Sequence, residues 1–351
     1  MIKKGLFICF SIILLLSCSA KKEKEDHTIR IGFSAASQTF QLERWNKDIK
    51  VFMNRAKELG AEVVFAKSAG DAEGQIPQIQ YMLTQDIDIL VVIPDDMEML
   101  GGVIRKILDK GIPVLSYDRP IMGVQITGYV SFDNREVGRL LAKSLLSAAP
   151  KGNYLIVNGS IRDNNSFEVN KGVHEILDPE AQKNNIKIVN EIWLEGWSFD
   201  EALEKIGAIF NETTDIAAIS CPNDLIASAA IRILSEKRMV GEVAIVGQDA
   251  DLLACQRIVE GSQVMTVYKP ISKLAERAAE IAVQMVNKEI PVPEKYMDNN
   301  SGKKIPFYVE QPIPVSKEQM DEIIIADGFH SKEDVYINIT GQNCQQNNTN
   351  Q

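Results

Sequence analysis

Uniform runs of Ile, Val and Leu, each followed closely by an amphipathic helical pattern, constrain this chain's fold more than any other feature. Ile89-Leu90-Val91-Val92-Ile93 is the clearest of them. A strand with one face in water alternates apolar and polar residues, so a run this uniform must be covered on both faces, as in a parallel sheet flanked by helices. Strand 29–35 precedes helix 44–60, whose Trp45, Ile49, Phe52, Ala56 and Leu59 share one face. Strand 61–66, helix 75–84, strand 87–93, helix 100–111 and strand 112–117 complete a first set. Gly60 and Gly111 stand where two of these helices should stop.

The pattern then restarts. Helices are predicted at 135–149, 167–177, 201–210, 225–234 and 252–259, interleaved with strands at 154–158, 186–193, 216–220, 243–246 and 263–267. With 351 residues, 45% of them hydrophobic, the chain has ample material for two cores. The expected fold class is α/β, with two doubly wound, Rossmann-like lobes. A long amphipathic helix at 272–289 follows both. Past Pro291 the chain reads as irregular and proline-rich (Pro306, Pro312, Pro314), and the Asn/Gln-rich end reads as a disordered tail over 336–351.

The N-terminus bears on compartment. Lys3 and Lys4 precede an apolar run at 5–16 that is too short for a permanent membrane span. It ends in Leu15-Leu16-Ser17-Cys18, which resembles the bacterial lipobox, where the cysteine is lipidated and becomes the first mature residue. Residues 1–17 are then a signal peptide and 18–27 a charged tether, giving an exported protein held to a membrane by a lipid on Cys18. Net charge is −10 (38 basic and 48 acidic residues), which argues against a nucleic-acid partner. Cys221, Cys255 and Cys344 are the remaining mature cysteines. An oxidising compartment would allow a Cys221–Cys255 disulfide, but buried free thiols are the favoured reading. His27, His174 and His330 form no metal-ligand pattern, and no cofactor or metal is expected.

Three polar strings close apolar runs: Tyr117-Asp118-Arg119-Pro120, Gly247-Gln248-Asp249-Ala250-Asp251 and Thr266-Val267-Tyr268-Lys269-Pro270-Ile271. Open α/β sheets place ligand groups at strand C-termini, so a cleft built from both repeats would unite them. Paired carboxylates could in principle serve sugar hydrolysis. Each, however, is accompanied by a cation or amide suited to holding a buried carboxylate as a passive acceptor. No nucleophile elbow, phosphate loop or Gly-x-Gly-x-x-Gly is present. Binding without chemistry is the expectation.

These strings, together with Leu42-Glu43-Arg44-Trp45, Ser131-Phe132-Asp133-Asn134, Asp163-Asn164-Asn165, Glu195-Gly196-Trp197, Asn223-Asp224 and Asp327-Gly328-Phe329-His330, resemble the periplasmic sugar-binding proteins of the ribose/xylose class. The likeness spans roughly 28–332. It implies a monomer of two lobes joined by three crossovers, with a monosaccharide, D-xylose, bound between them. The crossovers are expected near 131–134, 269–270 and 299–304. That divides the chain into a first lobe of 28–133 plus 270–300 and a second of 134–269 plus 301–335. The loaded form would dock on an ABC-transporter permease or, in the rival reading, on a sensor kinase or chemoreceptor.

A pentopyranose presents hydroxyls, a ring oxygen and apolar C–H faces, so a dry cleft must supply fixed donors, acceptors and an aromatic plane. The candidates are Arg44, Trp45, Asp118, Arg119, Asp163, Asn165, Trp197, Asn223, Asp249 and Lys269. Each has a bland alternative. Asp118 and Arg119 could pair with one another, and Arg44 could be a solvated surface arginine. Asp163 could cap a helix, Asn223 could serve a turn, and Lys269 could be a hinge residue. Asp251 is expected to cap the next helix, leaving Asp249 for ligand. Trp197 reads as a cleft platform, whereas Trp45 suits core packing nearly as well as stacking.

Overall fold

The computed structural model describes residues 27–36, 43–68 and 72–339, with the backbone alone at residues 43–45. Its first unit runs β1 (Arg30–Ala35), α1 (Glu43–Glu58), β2 (Glu62–Lys67), α2 (Ala72–Leu83), β3 (Ile89–Val92), α3 (Gly101–Asp109), β4 (Val114–Tyr117) and β5 (Gly128–Phe132). The second runs α4 (Asn134–Ala148), β6 (Gly152–Ser160), α5 (Asn164–Gln182), β7 (Ile186–Leu194), α6 (Phe199–Glu212), β8 (Ala218–Ser220), α7 (Asp224–Lys237), β9 (Ala244–Gln248), α8 (Leu252–Glu260) and β10 (Met265–Tyr268). The chain ends with α9 (Ile271–Val286), β11 (Lys295–Met297), β12 (Ile305–Glu310), β13 (Ile313–Val315) and α10 (Lys332–Val335).

Two sheets result. One has the order β11-β12-β5-β4-β3-β1-β2 and the other β13-β10-β9-β8-β6-β7. All neighbouring pairs are parallel except β11–β12 and β10–β13. The five strands that open each unit repeat one doubly wound order, so each sheet reverses direction beside its first strand, where such sheets take their ligands. Both faces of each sheet are covered, which accounts for the uniformly apolar strands. In the first, Phe52 of α1 packs edge-on to Phe33 of β1 (centroids 4.7 Å apart), with α9 alongside. Leu100, Val103, Ile104 and Ile107 of the α3 region cover the other face. In the second, α4 and α5 lie on one face and α6 and α7 on the other.

The chain passes between sheets at Asp133, at Lys269–Pro270 and at Gln311–Pro312. The last differs from the expected 299–304, and with it the boundary at 300. Residues 305–310 are not irregular but form β12, in register with β5 from Phe307 opposite Tyr129. Prolines obscured this in the sequence: Pro306 stands just before that ladder begins, and Pro314 lies in the edge strand β13, both places where a missing N–H is tolerated. The sequence reading also places no strand between 117 and 135, yet β5 fills that gap. Residues 336–339, expected in the tail, are ordered, with Tyr336 and Ile339 packed on a cluster of Cys255, Ile258, Tyr268 and Met320. Cys221 and Cys255 are buried free thiols. Cys18 and residues 340–351 lie outside the described residues. Among the described residues, no helix is long and apolar enough to cross a membrane, and no cluster of His, Cys, Asp or Glu could hold a metal.

Candidate functional site

β4 ends at Tyr117, and the next residue, Asp118, turns the chain with φ of 60°. A non-glycine residue held in the left-handed region costs about 1–3 kcal/mol and persists only where its surroundings fix it. Here the Asp118 carbonyl accepts from Ser131 Oγ (2.7 Å) and Asn165 Nδ2 (2.9 Å), with the Tyr129 hydroxyl at 2.8 Å. That hydroxyl also lies 3.1 Å from Asn165 Oδ1, and burial pushes its pKa well up, so it stays a neutral donor. One residue on, the Arg119 carbonyl accepts from Ser116 Oγ at 2.6 Å. The turn therefore projects the side chains of Asp118 and Arg119 from a rigid base, and both are buried.

Arg119 does not pair with its neighbour. Its Nε reaches across to Asp163 Oδ2 at 3.0 Å, with both side chains less than a tenth exposed. Asp163 is also the N-cap of α5, its Oδ1 accepting from the Asn165 backbone N–H (3.0 Å) while Oδ2 accepts from Trp197 Nε1 (3.2 Å). One carboxylate thus holds both the cap of α5 and the bridge to Arg119. Burial raises its pKa, and the adjacent guanidinium works against that rise. Trp197 precedes α6, which is capped by Ser198, and its ring lies flush against the β6 backbone: a Cβ on Gly159 would come within 2.3 Å of it.

Asn223 ends the segment after β8. Its Oδ1 caps α7 by accepting from the Ile226 N–H at 2.9 Å, which uses one of that oxygen's two lone pairs. Its Nδ2 donates no hydrogen bond among the described residues. At the end of β9, Asp249 and Ala250 both have positive φ (92° and 54°). Lys269 Nζ stands 3.7 Å from Asp249 Oδ1 and 5.9 Å from the centroid of the Phe132 ring, and both charged groups are buried. Asp251 occupies the N-cap position of α8, but its side chain makes no capping bond, contrary to expectation. Its backbone N–H instead donates to Asp224.

Asp118, Arg119, Asp163, Asn165, Trp197, Asn223, Asp249 and Lys269 therefore line the facing strand ends and crossovers. Arg44 and Trp45 lie at the start of α1, and their side chains fall outside the described residues. Tyr129, Ser131, Asp224 and Thr266 support the turns that carry this set; Ser131, Asp224 and Thr266 stand in the strings quoted above but not among the ligand candidates, and Tyr129 stands in neither. A cavity of about 530 Å³ opens behind the site and shares Tyr129 and Asn165 with it. Its other walls come from β11 and β12, with Lys295, Tyr296 and Phe307, and from the starts of α4 and α5, with Arg135 and Glu168, and none of Asp118, Arg119, Asp163 or Asp249 lines it. The polar set itself is balanced. Three carboxylates face two described cations and two amides, which suits a neutral ligand rich in hydroxyls better than an anion.

A family model described as a periplasmic binding protein domain matches residues 33–290. The D-xylose-binding periplasmic protein of Haemophilus influenzae is 42% identical over 336 residues, covering 95% of this chain and 99% of that protein. The protein of the same description from Escherichia coli is 39% identical, with 95% and 99% covered. Among solved structures, a carbohydrate transporter solute binding protein from Chloroflexus aurantiacus in complex with D-glucose superposes with a TM-score of 0.81 at 24% identity. It covers 88% of this chain and 98% of its own, a likeness of fold.

Proposed function

This chain belongs to the periplasmic binding protein family, and from that premise we propose that it is a D-xylose receptor that feeds an ABC-transporter permease, held at the membrane by a lipid on Cys18. The observation that carries the proposal is the buried Arg119–Asp163 bridge between the β4 exit of one sheet and the β6 exit of the other. It joins polar groups of both lobes at their strand ends, which supports a polyhydroxylated ligand held between them. Asp118, Asp163 and Asp249 accept hydroxyl protons, Arg119, Lys269 and Arg44 donate to hydroxyl and ring oxygens, and Asn165 and Asn223 supply amides. Trp197, with Trp45, gives an apolar plane for the C–H faces. The relatives at 42% and 39% identity motivate xylose over other pentoses.

Calorimetry of the mature protein against a panel of pentoses and hexoses tests this. One site per chain in the micromolar range or tighter for D-xylose is expected. Stronger binding of ribose, arabinose or glucose would remove the xylose assignment. The anchor is tested separately. Cys18→Ser should leave sugar binding intact and release the protein from the membrane fraction, and a variant that still sediments with membranes would contradict the lipid on Cys18.

A further inference from the structure

The turn that carries Asp249 is clamped from behind by a fully buried carboxylate, Asp224, which is the first residue of α7. Asp224 Oδ2 accepts from the Asp251 backbone N–H at 3.1 Å and from the Thr266 hydroxyl at 2.8 Å. The Thr266 oxygen in turn accepts from the Ala250 backbone N–H at 3.1 Å. Asp224 Oδ1 accepts from Gln263 Nε2 at 2.9 Å, and Gln263 Oε1 is held by Arg257 Nε at 3.0 Å. Arg257 also reaches the Asp224 carbonyl (3.4 Å) and Ser228 Oγ (3.0 Å). Gly247 makes the approach possible, because a Cβ there would lie 2.1 Å from Asp224 Oδ1. From the other side the Ala250 carbonyl accepts from His330 Nε2 at 2.8 Å.

Two consecutive residues with positive φ, neither of them glycine, do not stay in place unaided. The Ala250 N–H and C=O are held by Thr266 and His330, the Asp249 N–H donates to the Val267 carbonyl at 2.9 Å, and the N–H of the next residue, Asp251, is the one Asp224 takes. We propose that Asp224 is a positioning residue for sugar capture, holding Asp249 at the cleft through Thr266 and the backbone of Ala250 and Asp251 while touching no ligand itself. The inference rests on the reading of Asp249 as a sugar ligand. It assigns a role to the acidic half of Asn223-Asp224 distinct from that of the asparagine, whose side chain caps α7. The carboxylate form is the one that fits: its neighbours Thr266, Gln263 and Asp251 all present donors to it. Asparagine would set an amide N–H against one of those donors.

Calorimetry with D-xylose on the full mature chain tests the idea through a double-mutant cycle. Asp249→Ala and Asp224→Asn should each weaken binding by about tenfold or more, the scale set by an unmade buried hydrogen bond. In the Asp249→Ala background, Asp224→Asn should cost little further affinity, because the group it positions is gone. Thr266→Val should weaken binding and Thr266→Ser should retain it, which keeps the test open if Asp224→Asn folds poorly. An Asp249→Ala variant with unchanged affinity would sink the underlying reading of Asp249. Normal affinity in folded Asp224→Asn or in Thr266→Val, or an undiminished Asp224→Asn loss without Asp249, would overturn the positioning role.

Discussion

Single side chains in this site hold two jobs at once, and that sets what their removal should do. In the proposed reading Arg119→Ala takes away a donor to the sugar, and it also leaves Asp163 buried without its counter-charge. Removing one partner of a buried, charged hydrogen-bonded pair costs on the order of 1–3 kcal/mol or more, and 1.4 kcal/mol is a factor of ten in affinity. Arg119→Ala should therefore weaken D-xylose binding at least about tenfold by calorimetry, and Trp197→Ala should do the same by deleting the apolar platform. Asp251→Ala is the contrast. Its side chain does not cap α8 and the backbone N–H that meets Asp224 survives the change, so affinity should stay near that of the parent. A large loss there would move the critical carboxylate of this loop from Asp249 to Asp251. Most of these side chains were legible in the sequence as charge at the end of an apolar strand. Tyr129 and Asp224 were not. A tyrosine within a short strand looks like core, and an acid after an asparagine looks like part of a cap, until register brings them to Asp118 and Thr266.

Elements are positioned by backbone contact as much as by apolar area. Helices α4 and α5 cross so closely that a Cβ on Gly138 would lie 2.0 Å from the Val169 carbonyl oxygen, and one on Gly172 2.0 Å from that of Arg135. Overpacking of this kind costs about 1–3 kcal/mol, occasionally more. Gly172→Ala should lower the urea midpoint accordingly and, since α5 begins at Asn164 beside Asp163 and Asn165, weaken sugar binding too. A midpoint unchanged by the extra methyl would show that the helices can part freely. The same helix is tied to β7 through His174, whose ring lies 2.8 Å from Asp178 and 3.2 Å from Glu191. Burial opposes the imidazolium, but these two acids outweigh it and raise the pKa above the ordinary value. A raised folded-state pKa gives stability that is fully present below the unfolded value of about 6.5 and is lost as pH rises through the higher folded value. His174→Gln should thus destabilise clearly in urea at pH 5.5 and much less at pH 9, and an equal loss at both would refute the charged pair. The alternation of strand and helix was readable because parallel strands covered on both faces leave long apolar runs. β5 and the three strands after α9 were not, since five residues or fewer, or a proline, leave too little period to see.

At the scale of the whole molecule the two lobes already touch through polar groups that belong to the protein. Besides Arg119–Asp163, Asn165 of α5 donates to the Asp118 carbonyl, the Met97 N–H donates to the Arg162 carbonyl at 3.0 Å, and Lys295 of β11 pairs with Asp133 at the first crossover (2.6 Å). A closed arrangement held this way does not depend on sugar for every bond. The ligand shifts the balance between open and closed forms only by the difference in its affinity for the two. With groups from both lobes needed to satisfy its hydroxyls, D-xylose should favour the closed form strongly and bind the unfolded chain not at all. At a free concentration one hundred times the dissociation constant, that linkage raises stability by about 2.7 kcal/mol. Thermal unfolding with and without sugar should show the increase, and small-angle scattering should show a smaller radius of gyration at saturation. A rise in stability with no change in scattering would mean that the direct bonds across Arg119, Asp118 and Met97 already hold the lobes together, so that sugar enters a site that does not need to close.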